Sequence, residues 1–195
     1  MKAKPLAVLA ALCLTSGGLA QAAVIEFGAT LGPEAAGATG SGTVLLTYDD
    51  VALTLGIDAS WSGLSGPTTV SHIHCCTAVS GTGTAGVAVT PGTLPGFPVG
   101  VTAGTYTVVI DLDDPANYTA GFLAFGGGTA DGARAALLAA FYAGTAYFNI
   151  HTTAYPGGEI RGFLQPVPEP GALALLSLGL IALGIARARP GGSRS

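Results

Sequence analysis

Val51-Ala-Leu-Thr-Leu-Gly-Ile-Asp-Ala-Ser-Trp61 alternates strictly along its length. Its apolar residues fall on odd numbers: Val51, Leu53, Leu55, Ile57, Ala59 and Trp61. Small or polar residues stand between them. Side chains alternate across a β-strand, so a period of two predicts one buried face and one wet face. A helix would instead place its apolar residues three and four apart.

Similar runs occupy 24–31, 43–48, 69–74, 106–112, 145–152 and 159–165. Gly, Pro, Asn and Asp separate them, as in Pro91-Gly92, Pro95-Gly96, Asp113-Asp114-Pro115 and Pro156-Gly157-Gly158, and these residues favour turns. One segment reads differently. Residues 131–143 are rich in Ala and Leu, with Leu137, Leu138 and Phe141 at helical spacing. Thr129 or Asp131 would cap the start and Gly144 the end. Many short strands with one helix predict a two-layer, all-β sandwich. No internal repeat is visible.

The two ends stand apart from this domain. Lys2 and Lys4, an apolar run at 6–14 and the small-x-small triplet Ala20-Gln21-Ala22 are the parts of a signal peptide over 1–22. Signal peptidase would cut there. Near the other end, Val167-Pro168-Glu169-Pro170 precedes an apolar stretch at 171–186 and a basic tail with Arg187, Arg189 and Arg194. The apolar stretch is short for a span, which takes about 20 residues. Arginines beyond it favour a cytoplasmic C-terminus. Residues 166–195 resemble the PEP-CTERM sorting signal of Gram-negative bacteria. That resemblance implies inner-membrane anchoring through 171–186, processing by an exosortase near Pro168-Glu169-Pro170, and export with extracellular polysaccharide.

Residues 23–165 are then the exported domain, long enough to bury a core. Of the chain's 11 acidic residues only Glu169 lies outside it, and its basic residues are Arg134 and Arg161. So acidic a domain is a poor partner for nucleic acid or anionic membrane. Cys13 leaves with the signal, so Cys75 and Cys76 alone enter an oxidising compartment.

Ser71-His-Ile-His-Cys-Cys-Thr77 concentrates the reactive side chains. On a strand, His72 and His74 project side by side, about 7 Å apart. The third histidine, His151, lies in another predicted strand. Two imidazoles from one strand and one from a second suit copper or zinc; structural hydrogen bonding is the competing reading. Across a trans peptide the Cα atoms of Cys75 and Cys76 would lie about 3.8 Å apart, below the usual disulfide range. Three states stay open: a strained vicinal disulfide, two free thiols, or thiolates joining the histidines as further ligands. Gly81-Thr-Gly-Thr-Ala-Gly86 has the spaced glycines of a dinucleotide loop. Val87-Ala-Val-Thr-Pro-Gly92 comes directly after it and does not read as a helix, so a flexible loop is expected. Asn117-Tyr118-Thr119 is a glycosylation triplet by pattern only.

Ala133 to Gly144, then Ala146-Tyr-Phe-Asn-Ile-His-Thr152, then Tyr155-Pro-Gly-Gly-Glu-Ile-Arg-Gly162 resemble the CHRD domain, and Ser71-His-Ile-His74 resembles its earlier motif. The likeness spans about 44–164. It implies a β-sandwich and no settled activity for bacterial members. The histidine layout is also similar to copper/zinc superoxide dismutase. There His72, His74 and His151 would stand for copper ligands and Arg161 for the anion-guiding arginine. The bridging histidine, the zinc ligands and the long loop of that family have no counterpart here. Glu159 and Arg161 also read as an ion pair closing the last turn, or as residues supporting the histidines. The expected fold is an immunoglobulin-like or superoxide-dismutase-like β-sandwich with one short helix. The expected function is an exported surface or matrix interaction module, contacting extracellular polysaccharide or surface proteins, with a copper-binding redox protein as the alternative.

Overall fold

The alternating stretch forms its strand three residues later than its pattern starts. In the structure, a computed structural model describing residues 24–168, Asp49 Oδ1 accepts hydrogen bonds from the amides of Val51 and Ala52 at 2.9 and 2.8 Å. That turn carries Val51 into solvent, 72% exposed, and Leu53 takes a positive φ of 56°. The strand begins at Thr54. From there Leu55, Ile57, Ala59 and Trp61 are buried as the alternation predicts. Ala20, Ala22, Glu169, Pro170 and the 171–186 stretch lie outside the described residues.

The elements run β1 (Val24–Pro33), β2 (Ser41–Asp49), β3 (Thr54–Ser62), β4 (Thr68–His74), β5 (Val87–Val89), β6 (Gly104–Asp111), a 3-10 turn (Pro115–Asn117), α1 (Ala120–Phe125), α2 (Ala130–Ala143), β7 (Tyr147–Thr152), β8 (Ile160–Phe163) and β9 (Gln165–Pro166). Every pairing between strands is antiparallel, in the order β5-β4-β7-β8-β1-β2-β3-β6, with β9 beside β1. The sheet turns at β1, where the strand passes from one half of the sheet to the other. Its residues 24–31 pair with β2, while Gly32 and Pro33 pair with β8. Inward side chains from both halves, such as Phe27, Leu46 and Ile57 from one and Ile73, Phe148 and Ile160 from the other, form one apolar cluster.

The domain is all-β in its framework, as the sequence predicts. The α2 helix falls where expected. Thr129 caps it by accepting from the Gly132 amide, and Gly144 ends it in the left-handed conformation at φ 65°. Leu137 and Phe141 are buried and Leu138 half-buried. Phe141 meets Phe27 of β1 with ring centroids 5.0 Å apart. The α1 helix is an addition. Its cap is Thr119, the last residue of the triplet that had only a glycosylation pattern. Asn117 there is engaged with the Asp111 carbonyl, and the Tyr118 hydroxyl with that of Leu112. The glycine-spaced stretch leads into β5, a strand, so it lacks the helix a dinucleotide site requires.

Candidate metal centre

Strand register decides which side chains share a face. Across β4 and β7, His74 stands opposite Tyr147, His72 opposite Asn149 and Val70 opposite His151. Across β7 and β8, Tyr147 stands opposite Phe163 and Asn149 opposite Arg161. Paired residues point to the same side of a sheet. One face therefore carries His72, His74, Tyr147, Asn149, His151 and Arg161. The other sends Ile73, Phe148, Ile150 and Ile160 into the core. The structure thus brings His72, His74 and His151 together across 79 positions of sequence. All three are buried, and one ring nitrogen from each lies within 4.8 Å of the other two.

The outer nitrogens are each held by a backbone carbonyl. His72 Nε2 lies 2.7 Å from the Gly92 oxygen, His74 Nδ1 2.8 Å from Ala85, and His151 Nδ1 2.8 Å from Pro156. A carbonyl only accepts, so each of these nitrogens is the protonated one. In the neutral rings the lone pairs then sit on His72 Nδ1, His74 Nε2 and His151 Nε2. These are the nitrogens that converge. His72 Nδ1 and His151 Nε2 are 3.3 Å apart, and His74 Nε2 is buried without a hydrogen-bond partner. Burial pushes His72 and His74 below the ordinary imidazole value, outweighing the carbonyl bonds that favour the charged form. Neutral imidazoles fixed by carbonyls are what a d-block metal ion requires of its ligands. The residues fit such an ion.

Three loops supply those carbonyls, and none was legible as functional. Ala85 belongs to the glycine-spaced segment, Gly92 to the turn after β5, and Pro156 to the turn between β7 and β8. The same glycine segment gives the Gly83 carbonyl to Arg161 Nη1 at 2.9 Å and the Gly86 carbonyl to the Cys75 amide at 3.0 Å. Gly83 has a φ of 87°, a conformation natural to glycine. The His74 ring also stacks on Tyr147, nearly parallel, with centroids 4.8 Å apart.

Cys75 and Cys76 are bonded to each other, across a cis peptide. Of the three states open from the sequence, the structure has the vicinal disulfide, so neither sulfur is a thiolate ligand. Cys76 is exposed beside Phe122 and Phe125 of α1.

The expected Glu159–Arg161 ion pair is not formed. Arg161 pairs with Glu34, just past β1, at 3.2 Å, and lies over the rings of Tyr147 and Phe163. Glu159 is fully buried and engaged elsewhere: one oxygen accepts from the Ser65 amide, the other from the Thr152 hydroxyl at 2.6 Å. Its two oxygens are taken by donors from a loop and from β7, so spacing along one strand misassigned its partner. Burial works to raise the Glu159 pKa, but these hydrogen bonds outweigh it and hold the carboxyl below its ordinary value. Its contribution is therefore full above that value, 4.5, and lost as the pH falls below it. Glu159→Gln places an amide N–H against a donor. Urea unfolding at pH 7 should show it about 1–3 kcal/mol less stable than wild type. The deficit should narrow as the pH drops below 4.5.

Residues 166–189 match the PEP-CTERM protein-sorting motif. The motif marks the chain for export, processing by an exosortase and C-terminal membrane anchoring in a Gram-negative bacterium. No curated protein and no solved structure is similar enough to match. The family model of the CHRD domain matches residues 23–164, which is most of the chain and all but the last of its strands, and the chain belongs to the CHRD domain family.

Proposed function

We propose that this exported domain is a surface protein that binds one d-block metal ion, copper by preference, at His72, His74 and His151. The observation that carries the reading is the convergence of three imidazole lone pairs whose outer nitrogens are all tied to carbonyls. Left alone, His72 Nδ1 and His151 Nε2 would be two acceptors facing each other. A metal ion resolves that conflict for all three rings at once. Imidazole donors suit both zinc and copper, and divalent copper binds such sites more tightly. With the cysteines bonded to each other, no thiolate biases the site toward cuprous ion. Bound copper would supply one-electron chemistry. The chain's own residues orient the rings and shield them beneath three loops, and burial favours the neutral form of His72 and His74. Arg161 does not favour dismutation, because Glu34 and the Gly83 carbonyl already engage its guanidinium.

The test is metal analysis of the protein purified after export. One equivalent of copper or zinc, or one saturable site on titration with Cu(II), is expected. No uptake of either metal would end this reading.

A second reading has its own observation. Thr30, Thr43, Ser60 and Thr105 stand side by side across β1, β2, β3 and β6, all exposed on the outer face. Such a rank of hydroxyls suits a polyhydroxylated polymer of the extracellular matrix. Binding to the producer's own polysaccharide, lost on Thr43→Val with Ser60→Ala, would support an interaction module. The two roles use opposite parts of the sheet and are compatible.

A further inference from the structure

We propose that Asn149 supplies an oxygen donor at the fourth position of the three-histidine site, its amide held in that orientation by Glu34 and Arg161. The proposal rests on the metal reading above and adds a residue to it. Asn149 is 1% exposed and stands opposite His72 on the same sheet face, between Tyr147 and His151. Its Nδ2 donates to Glu34 Oε2 at 3.3 Å. The other oxygen of Glu34 accepts from Arg161 Nη1 at 3.2 Å. An ionised carboxylate can only accept, so the amide must turn its nitrogen toward Glu34 and its oxygen away. Gly158 leaves room for this arrangement. A Cβ there would collide with the Glu34 carboxylate and press on Asn149 Nδ2.

The oxygen so placed has no hydrogen-bond partner. Asn149 Oδ1 and His74 Nε2 are both buried and unsatisfied, and the third such side-chain atom among the described residues is Trp61 Nε1. Trp61 belongs to the core cluster. Asn149 stands opposite His72, two residues from His74 on the same sheet face. With Nδ1 of His74 donating to Ala85, its Nε2 is an acceptor, and Asn149 Oδ1 is another. Flipping the amide would satisfy His74 but set Oδ1 against the charged Glu34. Neither orientation satisfies every atom without a further group. Three nitrogen lone pairs and one oxygen lone pair are thus collected on one patch of sheet. A cation there, or a water bound to it, takes all four. Oxygen is a harder donor than imidazole, so it should favour Cu(II) over Cu(I).

The experiment uses the full exported protein, titrated with Cu(II) and, by competition with a cuprous chelator, with Cu(I). Asn149→Ala should weaken Cu(II) about 10- to 100-fold, change the Cu(II) paramagnetic resonance spectrum, and leave Cu(I) affinity within about threefold. Glu34→Ala removes the carboxylate that holds the amide nitrogen and frees the amide to rotate. It should weaken Cu(II) in the same direction with Cu(I) again unmoved, and it carries the test should Asn149→Ala not fold. Wild type that takes up copper while both variants match it in affinity and spectrum overturns the role of Asn149 alone. Equal losses of Cu(I) and Cu(II) affinity would show a structural role only, and overturn it too. Wild type that takes up no metal removes the metal reading, and this inference with it.

Discussion

Leu55→Asp should leave the exported domain unfolded, while Ser60→Asp on the same strand should melt close to wild type. Leu55 is fully buried in the common apolar cluster, between Tyr48 on β2 and Ile110 on β6 in the register of the sheet. A carboxylate there replaces a leucine packed wholly among apolar side chains. It must neutralise or be expelled, and the methyl groups it replaces leave a void. The cost exceeds about 4 kcal/mol, a large share of a domain's stability. Ser60 lies on the opposite face, exposed, with Thr43 and Thr105 beside it. Thr54 would be a poor control, because the register sets it between Asp49 and Asp111. A third carboxylate there adds like-charge repulsion to the test of burial. Circular dichroism melts of the two variants decide the matter. Equal stability would mean that the period of two does not define the core face.

That period was legible because it is a property of neighbours in sequence. It misled only at Val51 and Leu53, where a side-chain acceptor on Asp49 bends the chain before the strand can start. The α2 helix was legible for the same reason: Leu137, Leu138 and Phe141 stand at helical spacing and its caps are local. The six residues of α1 are too few to show a period, and its only signal is the cap at Thr119. The histidine pair was legible because residues two apart share a strand face. The partners that make a site of it were not. Three are backbone carbonyls, which leave no mark on side-chain identity. Glu34 is 127 residues from Arg161; the two meet because β1 bends to pair with β8, a long-range pairing that no local pattern encodes. Glu159 and Arg161 were linked by their spacing, and the curl of the sheet gave each a nearer partner. Asn149 was visible as part of a motif, but its orientation depends on that distant Glu34.

His151→Ala should remove the saturable metal site while leaving the fold. The variant loses the bond from Nδ1 to the Pro156 carbonyl and the ring's contacts with His72 and His74. Against the whole core that is a modest loss, about 1 kcal/mol for the hydrogen bond. The effect on the metal is far larger. What remains is a pair of imidazoles two apart on one strand, and the third donor, from another strand, is what closes the site. Cu(II) affinity should fall at least about 100-fold. Wild type at a free Cu(II) concentration about 100 times its Kd gains about 2.7 kcal/mol, which raises its melting temperature by several degrees. The variant at the same concentration should show almost none of that rise. Protons give a second measure. Burial lowers the pKa of His72 and His74, so their neutral form persists as the pH falls through the ordinary value of 6.5. Proton competition should therefore set in at lower pH for wild type than for free imidazole. Undiminished Cu(II) binding by His151→Ala would place the metal elsewhere and return the three histidines to a hydrogen-bonding role.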